Sequence, residues 1–190
     1  MTLPRDFYNR PPQIVARDLL GKQLIRIIDC RRVGGIISEV EAYGGEQDLA
    51  SHAKSGLTPR NKAMYGPAGY AYIYFTYGMH WMLNCVTEKQ GIPSAVLIRG
   101  IKPVEGLEII YSNRPNIQKK QLCNGPAKLT KALAISGELN SRDLCDPEND
   151  LFIEDGKTIS DAIIQTTPRI GIQSTPEPWL TIPWRFVTYL

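Results

Sequence analysis

The chain has 190 residues, of which 43% are hydrophobic and 22% are charged. This composition is typical of a single globular domain and excludes an intrinsically disordered chain. No apolar run approaches the ~20 residues that span a bilayer, and the first residues lack the apolar segment of a secretory signal. We therefore expect a cytoplasmic protein with no membrane partner, associated with the nucleoid if it is prokaryotic.

The histidines and cysteines do not form a metal-binding pattern. The two histidines, His52 and His80, are far apart, and the four cysteines include no CxxC pair. Without an export signal we expect the cysteines to be reduced thiols. The sequence thus predicts no metal site.

Charge is unevenly distributed along the chain. Residues 1–135 contain 18 Lys and Arg against 10 Asp and Glu, whereas residues 136–190 contain 4 against 9. The most basic stretch, residues 54–131, also contains four tyrosines between Tyr70 and Tyr77. A basic surface beside aromatic rings is typical of nucleic-acid binding, because cations contact phosphates and rings stack on bases. A solvated lysine-rich face would explain the charge alone equally well.

In the first half of the chain, the pattern predicts one helix followed by a strand hairpin and a long loop. Pro11 and Pro12 precede the helix at residues 14–20, and Gly21 ends it. The predicted strands are residues 22–28, 36–43, 71–75 and 94–101. A polar loop, residues 44–69, separates the second strand from the third, and ordered loops of this length are commonly functional.

In the second half, helices predominate before the chain closes with strands. The predicted helices are residues 103–113 and 125–135, and the predicted strands are residues 151–155, 167–172 and 183–190. No repeat or linker divides the chain, so residues 1–190 are expected to form one domain. We predict an α+β fold with a curved, mostly antiparallel sheet, surrounding helices and long loops, and a protruding hairpin.

Alternation along residues 36–43 assigns side chains to two faces of a strand. Ile36, Ser38, Val40 and Ala42 are expected to face the core, and the other face carries Ile37, Glu39, Glu41 and Tyr43. The carboxylate of Glu41 would then lie beside the ring of Tyr43. A solvated strand face carrying two glutamates is the alternative interpretation.

Alternation also places Tyr70, Tyr72 and Tyr74 on one face, where they either line a cleft or form an aromatic core. Tyr77 precedes Gly78 and is expected at the tip of a hairpin, where a large ring can insert into a partner. Arg99 lies within an apolar strand, so it is expected either to form an ion pair or to position water or phosphate.

The sequence has no nucleophile motif and no phosphate-binding loop. The remaining chemistry is a carboxylate, an arginine and a group of rings. A carboxylate can activate water against an oxocarbenium-like sugar while rings hold the departing base, so this set suits hydrolysis of a glycosidic bond.

Several long segments together resemble the alkyladenine (3-methyladenine) DNA glycosylase family. They are VEAY, SHAKSGLTPRN, YAYIYFTYGMHWMLN, AVLIRGIKPVEG, GPAKL and PRIGI, and they occur in the family's order over most of the chain. The resemblance implies an enzyme of base excision repair that needs no cofactor, and we expect a monomer because one basic face is enough for one DNA site. It would flip an alkylated or deaminated purine out of double-stranded DNA and hydrolyse the N-glycosidic bond, with no lyase step.

The resemblance also implies roles for individual residues. Glu41 would activate the water and Arg99 would orient it. The residues expected to contact the base are Tyr43, His52, Tyr74, Asn84 and Ile170. Those expected to contact DNA are Tyr77, Met79, His80, Arg60 and Lys128, with Tyr77 filling the gap left by the flipped nucleotide.

Two other functions share many of these features. A module that binds damaged or single-stranded nucleic acid without cleaving it would need the rings and the basic surface but not Glu41 and Arg99. A hydrolase of free nucleosides or RNA would need the catalytic pair but not Tyr77.

Overall fold

The computed structural model describes residues 1–189 and has the predicted α+β architecture. Its helices are α1 (Arg5–Tyr8), α2 (Pro12–Leu19), α3 (Leu107–Asn113) and α4 (Pro126–Ala132). Its strands are β1 (Gln23–Ile28), β2 (Arg31–Tyr43), β3 (Ala71–Thr76), β4 (His80–Thr87), β5 (Ser94–Glu105), β6 (Leu151–Glu154), β7 (Ile164–Thr167) and β8 (Arg185–Thr188). All eight strands belong to one antiparallel sheet, so the predicted fold class is confirmed.

The sheet places the longest strand, β2, at its centre. The strand order is β3-β4-β5-β2-β1-β6, and β8 pairs with both β2 and β7. Glu41 of β2 is paired with Leu97 of β5 and also with Arg185 of β8. The end of β2 that carries the acidic residues is therefore held on both edges by neighbouring strands.

Helices cover one face of the sheet and the long loop covers part of the other. Helices α2 and α4 pack on the β2–β5 region and enclose the main core, which includes Leu19, Val40 and Leu129. On the opposite face a smaller cluster forms around Tyr72 and Met64. Burial of apolar surface on both faces stabilises the sheet, and it leaves the loop face as the place for a cleft.

The predicted alternation along β2 is wrong at its first half. Ile37 is fully buried in the main core, whereas Ile36 and Ser38 are only half-buried. The register between β2 and β5 shifts on both sides of Glu39, which marks a bulge. An extra residue in one strand reverses which side chains face the core, so the alternation holds only after the bulge.

Strands β3 and β4 form the predicted protruding hairpin. The turn between them contains Tyr77 and Gly78, with φ of 51° and 66°, and the N–H of Met79 donates to the carbonyl of Thr76 at 3.1 Å. Positive φ at both central residues is what tight hairpin turns require, and glycine adopts it without strain. The side chain of Tyr77 is 80% exposed at the tip.

Several predicted elements have different limits in the structure; the predicted strand at residues 183–190, for example, is β8 at Arg185–Thr188, and residue 190 lies outside the described residues. Residues 103–105 continue β5, and the helix begins only at Leu107 after Gly106, whose φ is 63°. Residues 168–172 are not a strand: β7 ends at Thr167, and Gly171 has φ of 85°. Within residues 1–189, no helix combines the length and apolar character needed to cross a membrane.

Candidate active site

A pocket of about 300 Å³ opens on the face of the sheet that the long loop covers. Strands β2 to β5 supply its floor, the 44–69 loop supplies one wall, and residues 170–172 supply the other. The pocket is lined by Tyr43, Ala50, Ser51, His52, Met64, Tyr72, Tyr74, Thr76, Tyr77, Met82, Asn84, Ala95, Leu97, Arg99, Pro126, Ile170, Gly171 and Ile172. Nine residues singled out in the sequence are thus brought to one place: eight line the pocket, Tyr72 among them, and Glu41 lies beneath them.

Glu41 is fully buried directly behind the pocket wall. Its Oε1 accepts the backbone N–H of Ile170 at 2.7 Å, and its Oε2 accepts the hydroxyl of Tyr43 at 2.8 Å. A carboxylate offers about four acceptor positions, so these bonds leave room for a further donor such as water. The predicted juxtaposition of Glu41 and Tyr43 is therefore present, and the solvated-face alternative is wrong for Glu41.

Opposing influences act on the ionisation of Glu41. Burial raises the pKa of this carboxyl above its usual range, because the charged form loses its hydration. The charge of Arg99 and the hydrogen bonds from Ile170 and Tyr43 act in the opposite direction. The net result is a pKa above the usual range of a glutamate.

Arg99 is buried beside two glutamates of β2. Its Nε donates to Oε1 of Glu39 at 2.7 Å, and its Nη1 lies 3.3 Å from Oε1 of Glu41. Arg185 of β8 donates to the same oxygen of Glu39 at 2.8 Å. Burial alone would lower the pKa of Arg99, but the two glutamates raise it, so the guanidinium stays charged. Arg99 therefore forms the expected ion pair and also lines the pocket.

Aromatic rings surround the space in front of Glu41. The rings of His52 and Tyr74 are 4.4 Å apart between centroids, and Tyr72 and Tyr74 are 5.3 Å apart. The guanidinium of Arg60 lies 5.5 Å from the centre of the Tyr74 ring. Together with Tyr43 these rings give the pocket flat, electron-rich walls that suit a planar or cationic guest.

The loop that carries His52 is ordered by its own polar side chains. The hydroxyl of Ser51 accepts the N–H of Ala53 at 3.1 Å, beginning a single 3-10 turn at His52–Ser55. Asn61 donates to the carbonyls of His52 and Gly56, both at 2.9 Å. These bonds hold His52 at the pocket mouth, although within residues 1–189 the loop pairs with no strand of the sheet.

His52 is held in its neutral form. Nδ1 of His52 and the hydroxyl of Tyr72 are 2.8 Å apart and share a hydrogen bond. Part of the residue is exposed, but one side of the ring packs against Tyr72 and Tyr74, and the positive charges of Arg60 and Lys54 lie nearby. Burial first, and then these charges, lower the pKa of His52 to about 4. At neutral pH the ring can therefore donate or accept a hydrogen bond without bringing a positive charge.

Asn84 is fixed at the bottom of the pocket. Its amide nitrogen donates to the carbonyl of Tyr72 at 3.0 Å, across the hairpin register that pairs these two residues. This bond sets the orientation of the amide, so its oxygen has a defined position. Met82 and Leu97 add an apolar surface beside it.

The remaining predicted residues lie around the pocket mouth or outside it. Met79 is 65% exposed and His80 is exposed, both on the hairpin next to Tyr77. Lys128 lies on α4, two residues after Pro126 of the pocket wall, and its Nζ donates to Asn124 at 2.9 Å. The pocket lining does not include Met79, His80 or Lys128. Their contact with DNA stays a prediction.

Sequence reasoning missed the buried ion pair of Asp48 and Arg169. Both side chains have no exposed surface, and Nη2 of Arg169 donates to Oδ1 of Asp48 at 2.9 Å. Arg169 belongs to the segment predicted as a strand, and Asp48 to the long loop. The two residues are 121 positions apart, and no local sequence pattern links an arginine in a predicted strand to an aspartate in a loop.

Comparison with known sequences agrees with the resemblance drawn from the motifs. The profile of the Methylpurine-DNA glycosylase (MPG) family matches residues 6–189. A protein of Methanocella arvoryzae is 49% identical over 97% of this chain and 90% of its own length. Proteins of Clostridium acetobutylicum and Carboxydothermus hydrogenoformans are 43% and 45% identical, each over 98% of this chain. All three are provisionally named 3-methyladenine DNA glycosylases. The match to the family profile and these identities over nearly the whole chain establish that the protein belongs to the methylpurine-DNA glycosylase family.

Proposed function

We propose that the protein is a monofunctional DNA glycosylase that flips alkylated or deaminated purines out of duplex DNA and hydrolyses their N-glycosidic bond with water. The observation that carries the proposal is the placement of buried Glu41 beside Arg99, which lines an aromatic pocket of about 300 Å³. Catalytic carboxylates with a raised pKa cluster in such clefts. Membership of the DNA glycosylase family supports the same reaction.

In this mechanism Glu41 acts as the general base. Its carboxylate accepts a proton from a water molecule, and the water oxygen forms a bond to C1′ of the flipped nucleotide. The bond between C1′ and the base nitrogen breaks, and its electron pair leaves with the base. Arg99 orients the water, and the charge of Glu41 stabilises the oxocarbenium-like sugar. The products are a free base and an abasic site.

The pocket walls suit alkylated purines. Many of these bases carry a positive charge, which the faces of Tyr43 and Tyr74 attract by about 0.5 to 2 kcal/mol. Burial raises the pKa of Tyr74 to about 12, so its hydroxyl keeps its proton. His52 is neutral and does not repel a cationic base. A deaminated purine is uncharged, and hydrogen bonds to His52 and Asn84 are the available means of holding it.

Tyr77 is proposed to fill the space left by the flipped nucleotide. Extruding a base costs a few kcal/mol of pairing and stacking. A tyrosine at the tip of the hairpin would offset part of this cost by stacking on the neighbouring bases. Met79, His80, Arg60 and Lys128 surround the same mouth and would contact the DNA backbone. This arrangement serves one DNA site per monomer.

Water is the proposed nucleophile, which distinguishes the reaction from that of a bifunctional glycosylase with a lyase step. A lyase step uses an amine that attacks C1′ and forms a Schiff base. Among the described residues that line the pocket, none is a lysine. The chain's products should therefore contain an intact abasic site and no strand break.

The deciding experiment is base release from methylated duplex DNA and from a hypoxanthine-containing duplex, followed by chromatography. The wild-type protein should release free purine, whereas Glu41→Gln should release none and still bind lesion DNA. The control is Glu154→Gln, a glutamate of β6 that binds Arg32 on the surface and should leave base release unchanged. Equal release by wild type and Glu41→Gln would exclude Glu41 as the base.

A further inference from the structure

The buried Asp48–Arg169 ion pair connects the pocket loop to the segment after β7. Besides Asp48, Nη1 of Arg169 donates to the carbonyl of Ala42 at 3.0 Å, and Nη2 donates to the carbonyl of Trp179 at 3.3 Å. The Arg169 guanidinium lies 4.7 Å from the ring centre of Tyr43 and 5.2 Å from that of Trp184. One side chain thus contacts β2, the 44–69 loop and the C-terminal segment.

Asp48 is equally constrained. Its Oδ2 accepts the N–H of Gly44 at 3.1 Å, and its Oδ1 accepts the N–H of Ala50 at 3.0 Å. These bonds fix the start of the loop directly after Tyr43, the residue that donates to Glu41. The planar fork of Arg169 matches the two carboxylate oxygens, so the pair holds an orientation as well as a distance.

The pair lies next to the backbone group that contacts Glu41. Ile170 follows Arg169 directly, and its N–H donates to Oε1 of Glu41 at 2.7 Å. Residues 168–171 make no backbone–backbone hydrogen bonds in the described part of the chain, and Ile170 is 48% exposed. Strand β7 ends at Thr167, so main-chain pairing within the sheet does not hold this segment. Arg169 is the buried side chain that anchors it.

We propose that Arg169 and Asp48 are positioning residues that place the Ile170 N–H against Glu41 and so set the orientation of the carboxylate relative to Arg99. This proposal rests on the proposed function, since it assigns the pair to the same reaction. Neither residue lines the pocket, so neither contacts the base. Their effect on the reaction passes through Ile170 and Tyr43, both of which donate to Glu41.

The first variant is Arg169→Lys, which keeps the charge and removes the two-pronged contact. Single-turnover base release should fall by about 10- to 100-fold, as expected when a reacting group is misplaced by a fraction of an ångström. The Kd for lesion DNA should stay within about two-fold, because a loss confined to the chemical step leaves ground-state binding unchanged. The acid limb of the rate profile should move to higher pH, since Glu41 loses a hydrogen bond that favours its charged form.

A matched control is Arg32→Lys. Arg32 also contacts two carboxylates, Glu105 and Glu154, but it lies on the surface away from the pocket. The rate of base release by Arg32→Lys and its pH profile should equal those of the wild type. If Arg169→Lys does not fold, the double variant Asp48→Asn/Arg169→Gln replaces the ion pair with two amides and leaves no unpaired buried charge. Base release, lesion-DNA binding and the pH profile of the double variant are then measured in the same way.

Hydrogen exchange at the Ile170 amide separates this proposal from the proposed function. The amide should be protected in the wild type and should lose protection in Arg169→Lys. A wild type that releases no base would remove the proposed function, and the exchange result would still decide whether the pair places Ile170. Unchanged protection in a folded variant would overturn the proposal. So would a rate within two-fold of wild type accompanied by a lowered Tm, because the pair would then be purely structural.

Discussion

Arg99 and Glu41, on adjacent strands, are held 3.3 Å apart by a third residue that does not line the pocket. Glu39 accepts the Nε of Arg99 at 2.7 Å and that of Arg185 at 2.8 Å, both at the same oxygen. Its partners lower the pKa of Glu39 against the opposing effect of burial, so Glu39 stays charged. Glu39 thereby directs the remaining nitrogens of Arg99 toward Glu41.

Replacing Glu39 should therefore slow the reaction without removing any group that reacts. In Glu39→Gln the charge that holds Arg99 is lost, and base release should fall by about 10-fold or more because the water is less well oriented. Lesion-DNA binding should change little. Single-turnover kinetics and a binding titration measure the two effects. Glu154→Gln is the control, and a Glu39→Gln rate equal to that control would contradict this role.

Tyr77→Ala should weaken binding to lesion DNA by about 1 to 3 kcal/mol, the usual contribution of base–aromatic stacking. The Tm should not change, because the side chain is 80% exposed and packs on little of its own chain. Tyr189→Ala is a matched control, since Tyr189 is 78% exposed and does not belong to the hairpin. Fluorescence titration with a lesion duplex gives the Kd of each variant, and thermal unfolding gives its Tm. Unaltered DNA affinity in Tyr77→Ala would favour a hydrolase of free nucleosides.

The raised pKa of Glu41 predicts how stability depends on pH. Between its unfolded value near 4.5 and its higher folded value, the folded protein binds more protons than the unfolded chain. The contribution of Glu41 to stability is therefore present below pH 4.5 and is lost as pH rises through the folded pKa. The Tm of the wild type relative to Glu41→Gln should fall as pH rises above about 4.5. A difference that is constant with pH would show that Glu41 has an ordinary pKa.

The lowered pKa of His52 predicts that the stability of the fold depends on pH over a different range. Its pKa is lowered from 6.5 to about 4, so the folded protein binds fewer protons than the unfolded chain between these values. Stability should therefore decrease as pH falls from 6.5 toward 4, and His52→Asn should lack this component. Calorimetry at several pH values measures it. The comparison is His80→Asn, because His80 is an exposed histidine on the hairpin. An identical pH dependence in wild type and His52→Asn would contradict a lowered pKa of His52.

The sequence by itself determined the elements whose signals are local. Alternation predicted that Glu41 and Tyr43 share a face, and the Tyr77-Gly78 pair predicted the hairpin tip, because a strand's period and a turn's φ depend on neighbouring residues. The order of the family's motifs was also readable from the chain. The α+β class followed from the same local patterns.

Only the tertiary structure decided what depends on distant contacts. The bulge at Glu39 turned Ile37 into the core, and strand pairing brought Arg99 beside Glu41. The Asp48–Arg169 pair joins residues 121 positions apart, and residues 168–171 form a loop where the sequence pattern predicted a strand. Burial of this ion pair and of Glu41 is set by how the loop packs on the sheet. That packing is a property of the assembled fold, and no local pattern in the chain specifies it.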